Sequence, residues 1–428
     1  MTESRAPSIY PWMVVFILLI IYACAFIDRQ ILSLLAPAIS KDFKLSDLQT
    51  GLLLGPAFAI VFVFSGMYFG RIADRANRSR MIRWSLAAWS VCTAACGLSP
   101  SFPWLFAMRM GVGIGEATIA PAGVSLIGDV MPPAQRTRGL AFFNAGSNVG
   151  TASSYLIGAA IIPAAPVLLP LVGELQPWQA AFVYVGLPGL LLALVAMVVR
   201  ETKRFEKVAD NSDLARRFLR ERISLFAPLF AGSTAIICIG YGTAAWLPSY
   251  LGRTYQWSTS RIGFTVGAQN LTVMIVATVI ATFIVGAFRK RGNVDAVLRT
   301  MILFAALIVP PAILSWQMGD ADLFMLLYAL ELFCQSSVLN LVGAAICDVA
   351  PNQWRAKLYA IYLMVSSLVG LGLGPPVIGF LAQHFYGGNL GDAVSTYNAI
   401  VAPCGIVFLL MARKAFKAGA LEARTWQQ

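Results

Sequence analysis

Apolar runs long enough to cross a membrane recur along this 428-residue chain, separated by short polar or basic stretches. A spanning helix needs about 20 mainly apolar residues, and twelve segments meet that need. The pattern predicts an all-α integral membrane protein with twelve transmembrane helices in two pseudo-symmetric six-helix bundles. The predicted spans are 12–38, 50–70, 84–100, 104–128, 139–163, 179–199, 225–251, 262–288, 299–317, 323–347, 358–383 and 395–413.

One long polar stretch separates the first six spans from the last six. We therefore predict an N-terminal six-helix bundle over 1–199, a cytoplasmic linker over 200–224 and a C-terminal six-helix bundle over 225–428. An amphipathic helix is predicted within the linker, around Leu214–Ile223. The linker is either a solvated tether or a regulatory element, and the sequence leaves both open.

A short motif occurs twice, at a constant spacing of 219 residues, which is about half of the chain. It runs from Asp129 to Ala141 and again from Asp348 to Ala360, and the copies share Asp, Val, Pro, Arg, a second base and Ala. Each copy opens a predicted helix rich in glycine. A parallel repeat of six plus six helices is typical of secondary transporters.

The amino-acid composition agrees with a membrane protein and argues against other classes of protein. Only 12% of residues are charged and 58% are hydrophobic, whereas soluble domains are about a quarter charged. One histidine and seven dispersed cysteines favour neither a metal site nor a nucleophile–base pair. We expect no metal, no cofactor and no catalytic residue, and therefore no enzyme.

The net charge of +12 reflects membrane topology rather than an acidic partner. Of the 32 Lys and Arg residues, 26 fall in one set of alternate loops and both tails, and four fall on the opposite side. Basic loops stay in the cytoplasm, so both termini are predicted to be cytoplasmic in an inner (plasma) membrane. Membrane lipid is an expected partner, and nucleic acid is not.

Five ionisable residues fall inside predicted spans, where a charge is costly and marks a candidate functional site. Neighbouring residues point about 100° apart on a helix, so Asp28 and Arg29 each need a partner on another helix. Arg109 and Glu116 lie two turns apart on one helix face, about 10 Å along its axis. This gap has room for Asp28 or a substrate anion beside Arg109. Glu331 is the fifth residue.

These charges suit proton-coupled transport. An anion bound at Arg109 changes the proton affinity of nearby carboxylates, which links proton and substrate binding. We expect Asp28 and Glu116 to carry the coupling proton, and Arg29, Arg109 and Glu331 to contact the substrate. The alternative is a structural ion-pair lock without titration and, for Glu331, a simple helix contact.

A second group of charges lies in the predicted cytoplasmic loops. After the second span, Gly70 is expected to allow a close helix approach and Asp74 to accept hydrogen bonds from arginines. Together with both copies of the repeated motif, this loop is predicted to form a cytoplasmic gate. The gate residues are Gly70, Asp74, Arg75, Arg78, Asp129, Arg136, Asp348 and Arg355.

Glycines also recur inside the apolar spans. The run Gly111-x-Gly113-x-Gly115 follows no predicted strand, so it fails the test for a dinucleotide-binding loop. We predict that these glycines, with Gly146 and Gly150, form faces where helices pack closely.

The charged loops and spans resemble signatures of the major facilitator superfamily. The loop from Gly70 to Arg78 resembles the superfamily's motif between helices 2 and 3, and Arg109 to Gly113 resembles its helix 4 motif. The resemblance covers nearly the whole chain and implies the fold of that superfamily. Stretches similar to the spinster-like family are Phe26-Ile-Asp28-Arg29, Leu45-Ser-Asp47-Leu-Gln-Thr-Gly51, Ala73–Arg78, Gly113–Pro121 and Trp246-Leu-Pro248.

The spinster-like resemblance implies a transporter of lysophospholipids or sphingosine-phosphate that works by alternating access and is coupled to protons. It places Asp28, Arg29, Arg109 and Glu116 at the centre, and a monomer is expected. Symporters of small organic anions, carboxylates or sugar acids, share much of this pattern and are the alternative. Candidates for an apolar cavity wall are Phe58, Phe62, Phe142, Phe143, Tyr241 and Trp246.

Overall fold

The computed structural model describes residues 9–73, 75–161, 167–169, 173–202 and 212–423, nearly all of them helical. One antiparallel pair, β1 (Val167–Leu169) with β2 (Gly173–Leu175), joins the fifth and sixth spans. The helices are α1 (Tyr10–Asp42), α2 (Asp47–Leu54), α3 (Pro56–Ala73), α4 (Arg78–Gly97), α5 (Phe102–Glu116), α6 (Ile119–Val130), α7 (Arg136–Ile161), α8 (Pro177–Val195), α9 (Ser212–Glu221), α10 (Ile223–Thr254), α11 (Thr259–Lys290), α12 (Ala296–Leu307), α13 (Val309–Leu314), α14 (Ala321–Val349), α15 (Asn352–Ser366), α16 (Gly372–Phe385) and α17 (Leu390–Ala423).

In the described part of the chain, ten segments are long and apolar enough to cross a membrane. Two further helices, α4 and α7, lie at the third and fifth predicted spans. The first turns of α4 carry three arginines and α7 is rich in Gly, Ser and Asn, which lowers their hydropathy. With these two, each predicted span coincides with helix, and the all-α membrane fold is confirmed.

Proline accompanies a helix break in three of these spans, among them the fourth and the second. α5 ends at Glu116 and α6 begins at Ile119, because Pro121 has no N–H to donate to the Ala117 carbonyl four residues earlier. In the second span, α3 likewise begins at Pro56. The first break leaves Glu116 at the open carboxyl end of a helix inside the span.

Cα packing divides the chain into two compact units. Unit 1 comprises Met1–Lys44, Ala57–Lys207 and Gln256–Ala268, and unit 2 comprises Leu45–Pro56, Val208–Tyr255 and Gln269–Gln428. Each unit therefore includes one short segment from the other half of the sequence. The predicted division at 199 and 224 follows chain order and stays a prediction.

Glycine contacts hold the helices of unit 1 together. A Cβ atom on Gly146 would lie 2.7 Å from the Leu19 carbonyl oxygen, and one on Gly150 would strike the Ala23 backbone. In α5, a Cβ atom on Gly113 would come equally close to the backbone of α3. The predicted close-packing role of these glycines is confirmed, and it fixes α1, which carries the first two intramembrane charges.

Glycine contacts also hold the helices of unit 2 together. A Cβ atom on Gly232 in α10 would lie 2.9 Å from the Gly405 carbonyl oxygen in α17. α2 packs on α16, where a Cβ atom on Gly51 would lie 2.6 Å from the Pro375 carbonyl oxygen. The Trp246 indole N–H donates to that carbonyl at 2.9 Å, so α2, α10 and α16 meet there.

Polar contacts also hold the segment Leu45–Pro56 in unit 2. Arg253 Nη2 lies 2.6 Å from Asp47 Oδ1, and the Leu48 N–H donates to Gln383 Oε1 at 3.2 Å. The stretch from Leu45 to Gly51, which resembles the spinster-like family, is therefore an ion-pairing and packing element.

The close contact between α1 and α7 leads to a test with a matched control. We expect Gly150→Ala to lower the free energy of unfolding by roughly 1–3 kcal/mol, because the added methyl group overpacks the interface. Gly128→Ala adds the same methyl group in α6, where no described atom lies within 4 Å, and should be neutral or stabilising. Thermal unfolding in detergent measures both. Equal effects of the two changes would contradict the packing described here.

Candidate functional site

An ion pair between α1 and α5 lies in the interior of unit 1. Arg29 Nη2 is 2.8 Å from Glu116 Oε2, and their side chains are 11% and 0% exposed. The Arg29 guanidinium also lies 4.5–4.8 Å from the ring centroids of Phe26, Phe58 and Phe62. Guanidinium groups are attracted to aromatic faces at this range. Arg29 is therefore held by one carboxylate and three rings.

Asp28 and Arg109 are buried beside this pair. The Thr93 hydroxyl donates to Asp28 Oδ2 at 3.1 Å, and Arg109 Nη1 donates to the Asp28 backbone carbonyl at 3.2 Å. The prediction that Asp28 and Arg29 find partners on other helices is confirmed. In the described residues, the main-chain oxygen of Asp28, rather than its carboxylate, accepts from Arg109.

The centre formed by Asp28, Arg29, Arg109 and Glu116 balances two acids against two bases. Asp28 Oδ1 and Glu116 Oε1 are both buried and have no hydrogen-bond partner among the described residues. A buried, unpaired carboxylate oxygen is costly, and each such atom is a place where a proton or a donor group can bind. The arrangement has the chemistry to exchange protons and to hold an anion.

Glu331 lies in unit 2. It is buried, and the Trp316 indole N–H donates to its Oε2 at 3.4 Å. The Tyr250 hydroxyl in turn donates to the Trp316 backbone carbonyl at 3.0 Å. The structure thus groups four of the five intramembrane charges and places the fifth in an aromatic cluster. Substrate contact by Glu331 stays a prediction.

The proposed apolar wall residues have different surroundings. Phe58 and Phe62 contact Arg29, whereas Phe143 and Trp246 are buried in the cores of their units. Phe142 is exposed on the surface of α7. Only the first two belong to the charged centre.

Arg78 is the hub of a second polar cluster at the start of α4. Its side chain is 0% exposed, and its Nη1 pairs with Asp129 Oδ2 at 2.5 Å while its Nε pairs with Glu201 Oε1 at 2.7 Å. It also donates to Ser125 and to the Thr202 carbonyl. One arginine therefore joins α4, α6 and the chain after α8.

The repeated motif keeps one hydrogen bond in both halves. Arg136 Nε donates to the Met131 carbonyl at 3.4 Å, and Arg355 Nε donates to the Ala350 carbonyl at 3.0 Å. Donor and acceptor are related by the same spacing of 219 residues. Each arginine caps the carboxyl end of a preceding helix, α6 or α14, which satisfies its free carbonyl groups.

The other predicted gate residues differ from one another. Asp348 pairs with Arg289 at 3.0 Å, and Arg75 is exposed. The expected close approach at Gly70 is wrong in this structure, because an added Cβ would meet no described atom within 4 Å. Asp74 lies outside the described residues.

Unit 2 contains a hub with the opposite charges. Asp295, at the start of α12, pairs with Arg299 Nε at 2.7 Å and with Arg413 Nε at 3.2 Å. Burial alone would raise the pKa of Asp295, but the hydrogen bonds from both arginines outweigh it and hold that pKa below its ordinary value. The Asp295 carboxyl group is therefore ionised at neutral pH.

Sequence reasoning missed Thr93, Glu201 and Asp295. Glu201 had a usable signal, since it is an acid directly after the sixth span and faces a strongly basic loop. Asp295 likewise precedes the ninth span. Thr93 had none, because a threonine in an apolar helix is common and only packing reveals its partner.

Long apolar helices with buried, balanced charges define a multi-pass integral membrane protein of the transporter class. The family model of the Major Facilitator Superfamily matches residues 18–317, and the chain belongs to that superfamily.

The relatives include spinster proteins and sugar-acid transporters. The chain is 25% identical over 375 residues to an MFS-type efflux pump of Mycolicibacterium smegmatis, covering 87% of this chain and 84% of the relative. It is 25% identical over 419 residues to a probable L-galactonate transporter of Escherichia coli, covering 91% and 86%. It is 26% identical over 406 residues to protein spinster homolog 1 of Xenopus laevis, covering 88% and 74%.

A solved structure extends the likeness to three dimensions. The crystal structure of a bacterial homologue of the human lysosomal transporter spinster, inward-facing and unoccupied, aligns with a TM-score of 0.81 at 25% identity. The alignment covers 97% of this chain and 98% of that chain. The resemblance to the spinster family is confirmed in sequence and in fold.

The Arg78 hub predicts a large difference between two arginines of one loop. Arg78→Ala leaves Asp129 and Glu201 without their shared cation and should cost about 3–5 kcal/mol of unfolding free energy. Arg75→Ala removes an exposed arginine and should change stability by less than about 0.5 kcal/mol. Thermal unfolding in detergent compares the two. Similar shifts for both variants would show that Arg78 is not the hub.

Proposed function

We propose that this protein is a proton-coupled secondary active transporter that moves an amphiphilic anionic lipid, of lysophospholipid or sphingosine-phosphate type, by alternating access. The observation that carries the proposal is the buried centre of two acids and two bases in unit 1. In it, Asp28 and Glu116 carry the coupling proton. Arg29 and Arg109 bind the anionic head group, and Glu331 contacts the substrate.

Competition for Arg29 couples the two ligands. The same guanidinium that binds Glu116 at 2.8 Å is the group that an incoming phosphate or carboxylate seeks. A proton on Glu116 removes its charge and frees Arg29 for the substrate anion. Protonation favours binding of the anion, and the bound anion favours protonation. Each ligand therefore raises the affinity of the protein for the other.

Charge balance points to the same coupling. With all four groups ionised, the centre has no net charge, which suits an apolar surrounding. An anion alone would leave one uncompensated negative charge, and burying such a charge is expensive. One proton taken up with each singly charged anion restores neutrality.

Two features favour a lipid over a small acid. Three phenylalanine rings surround the Arg29 guanidinium, which gives the charged centre apolar walls suited to an acyl chain. The likeness to spinster proteins extends through the sequence and the fold.

The alternative is a proton-coupled symporter of small organic anions, carboxylates or sugar acids. The similarity to a probable L-galactonate transporter favours it, because that relative aligns over 91% of this chain. The charged centre suits both substrates, since the arginines recognise the acid group in either case.

We also propose how the protein is oriented in the membrane and which residues form its gate. Both termini lie on the cytoplasmic side of an inner (plasma) membrane, and the protein functions as a monomer. The Arg78 hub, together with Asp129, Arg136, Asp348 and Arg355, forms the cytoplasmic gate, where ion pairs and helix caps are remade as the protein changes state.

The test is uptake into liposomes driven by a pH gradient. Labelled lysophospholipid and sphingosine-phosphate are compared with a panel of small organic acids. We expect the lipids to follow the gradient in the wild type. In Glu116→Gln, uptake should fall to the rate seen without a gradient, because the proton carrier is gone.

Glu221→Gln serves as the control, because it removes an exposed glutamate in α9 that pairs only with Arg217 in the described residues. It should transport like the wild type. Uptake of small acids without uptake of lipid would support the alternative, a symporter of small organic anions. Unchanged coupling in Glu116→Gln would reduce the Arg29–Glu116 pair to a structural lock.

A further inference from the structure

Tyr362 in α15 carries a buried hydroxyl group without a partner. Its side chain is fully buried, and the hydroxyl finds no hydrogen-bond acceptor or donor among the described residues. The ring packs against Phe230 at 5.6 Å and Tyr359 at 6.0 Å between centroids. A buried, unpaired hydroxyl destabilises a protein, so this group calls for an explanation.

The internal repeat shows that packing does not need the hydroxyl. Counting back 219 residues from Tyr362 leads to Phe143, which is also buried. Phe143 stacks on Tyr22 of α1 and Tyr362 packs on Phe230 of α10, so each ring contacts the first span of its own half. A plain phenyl ring therefore fills the equivalent place, and the second half adds only an oxygen.

The helix next to Tyr362 is not regular. A π-helical turn at Ser367–Leu371 separates α15 from α16. Pro375 and Pro376 follow it, and they lack the N–H groups that would bond the carbonyls of residues 371 and 372. Single π turns inside helices are frequent at functional sites. In this turn, Gly370 lies against the Tyr241 ring, where an added Cβ would be 2.9 Å from the ring.

Three tyrosines converge beside this turn. Tyr359 packs on Tyr362, Tyr241 packs against the same hydrophobic cluster, and Tyr359 is 37% exposed. Tyr359 is therefore the exposed member of the cluster, and Tyr362 is its fully buried member. Phenol groups are uncharged hydrogen-bond donors and acceptors, so they can bond a neutral hydroxyl group in either role.

We infer that Tyr362 recognises a neutral hydroxyl group of the transported molecule and thereby determines specificity. The Tyr362 hydroxyl donates a hydrogen bond to that oxygen once the Tyr359 ring turns aside. This inference rests on the proposed function, because it takes the ligand to be the transported molecule. It adds a requirement that the charged centre does not make, namely a hydroxyl group on the substrate.

The test measures binding of two probe pairs to the purified protein. One pair is oleoyl-lysophosphatidate and its 2-deoxy analogue, and the other is galactonate and a deoxygalactonate. The wild type should prefer the hydroxylated member of the pair that it binds by about two- to tenfold, the gain typical of one hydrogen bond. Tyr362→Phe should abolish this preference while its melting temperature stays the same or rises.

Tyr397→Phe is the matched control. Tyr397 is also a buried tyrosine of unit 2, but its hydroxyl donates to the Cys238 carbonyl at 3.2 Å. Its removal should lower the melting temperature and leave the hydroxyl preference intact. The inference is overturned if the wild type shows no preference, if Tyr362→Phe keeps it, or if both variants lose it equally. If the wild type binds neither pair, the proposed function fails first and the inference fails with it.

Discussion

Inside a membrane span, a charged side chain has to find a counter-charge or a hydrogen-bond partner within the protein. The Arg29–Glu116 pair meets this constraint, and much of unit 1 is arranged around it. The glycine contacts of α7 press against α1, the helix that carries Arg29. The break before Pro121 ends α5 at Glu116 and leaves its carboxylate at the tip of a helix. Packing and backbone geometry thus both converge on a single ion pair.

The two halves of the chain share a frame and differ in chemistry. Arg136 and Arg355 make the same cap at the same spacing, which shows that the repeat holds for individual hydrogen bonds. The intramembrane charges of the first half have no such copies. Glu116 corresponds to Gln335 in the repeat, and Phe143 corresponds to Tyr362. The first half therefore carries four of the five intramembrane charges, and the positions of the second half that correspond to those four are uncharged.

The two ion-pair hubs differ in a comparable way. Unit 1 surrounds the buried base Arg78 with acids, whereas unit 2 surrounds the buried acid Asp295 with bases. Each hub ties the start of one span to the end of another within its own unit. Each hub therefore fixes several helices with few side chains.

The sequence predicted those parts of the structure that depend on periodicity and local chemistry. Apolar runs located every span, the repeat at Asp129 and Asp348 emerged from spacing alone, and the glycine runs indicated close packing. The sequence did not predict which buried polar groups bind each other. That Arg29 binds Glu116, while Arg109 binds a main-chain oxygen, depends on how α1 and α5 are rotated, and no local pattern encodes that rotation. Gly70 shows the converse error, since a glycine in a family-like motif needs no close neighbour in a given structure.

Proton coupling at the charged centre is tested most directly by the number of protons taken up when an anion binds. Calorimetry of oleoyl-lysophosphatidate binding, in buffers of different ionisation enthalpy, gives that number for the purified protein. We expect uptake of about one proton per ligand near neutral pH in the wild type and none in Glu116→Gln, because binding and protonation are linked at one centre. The same proton number in both proteins, or none in the wild type, would contradict it.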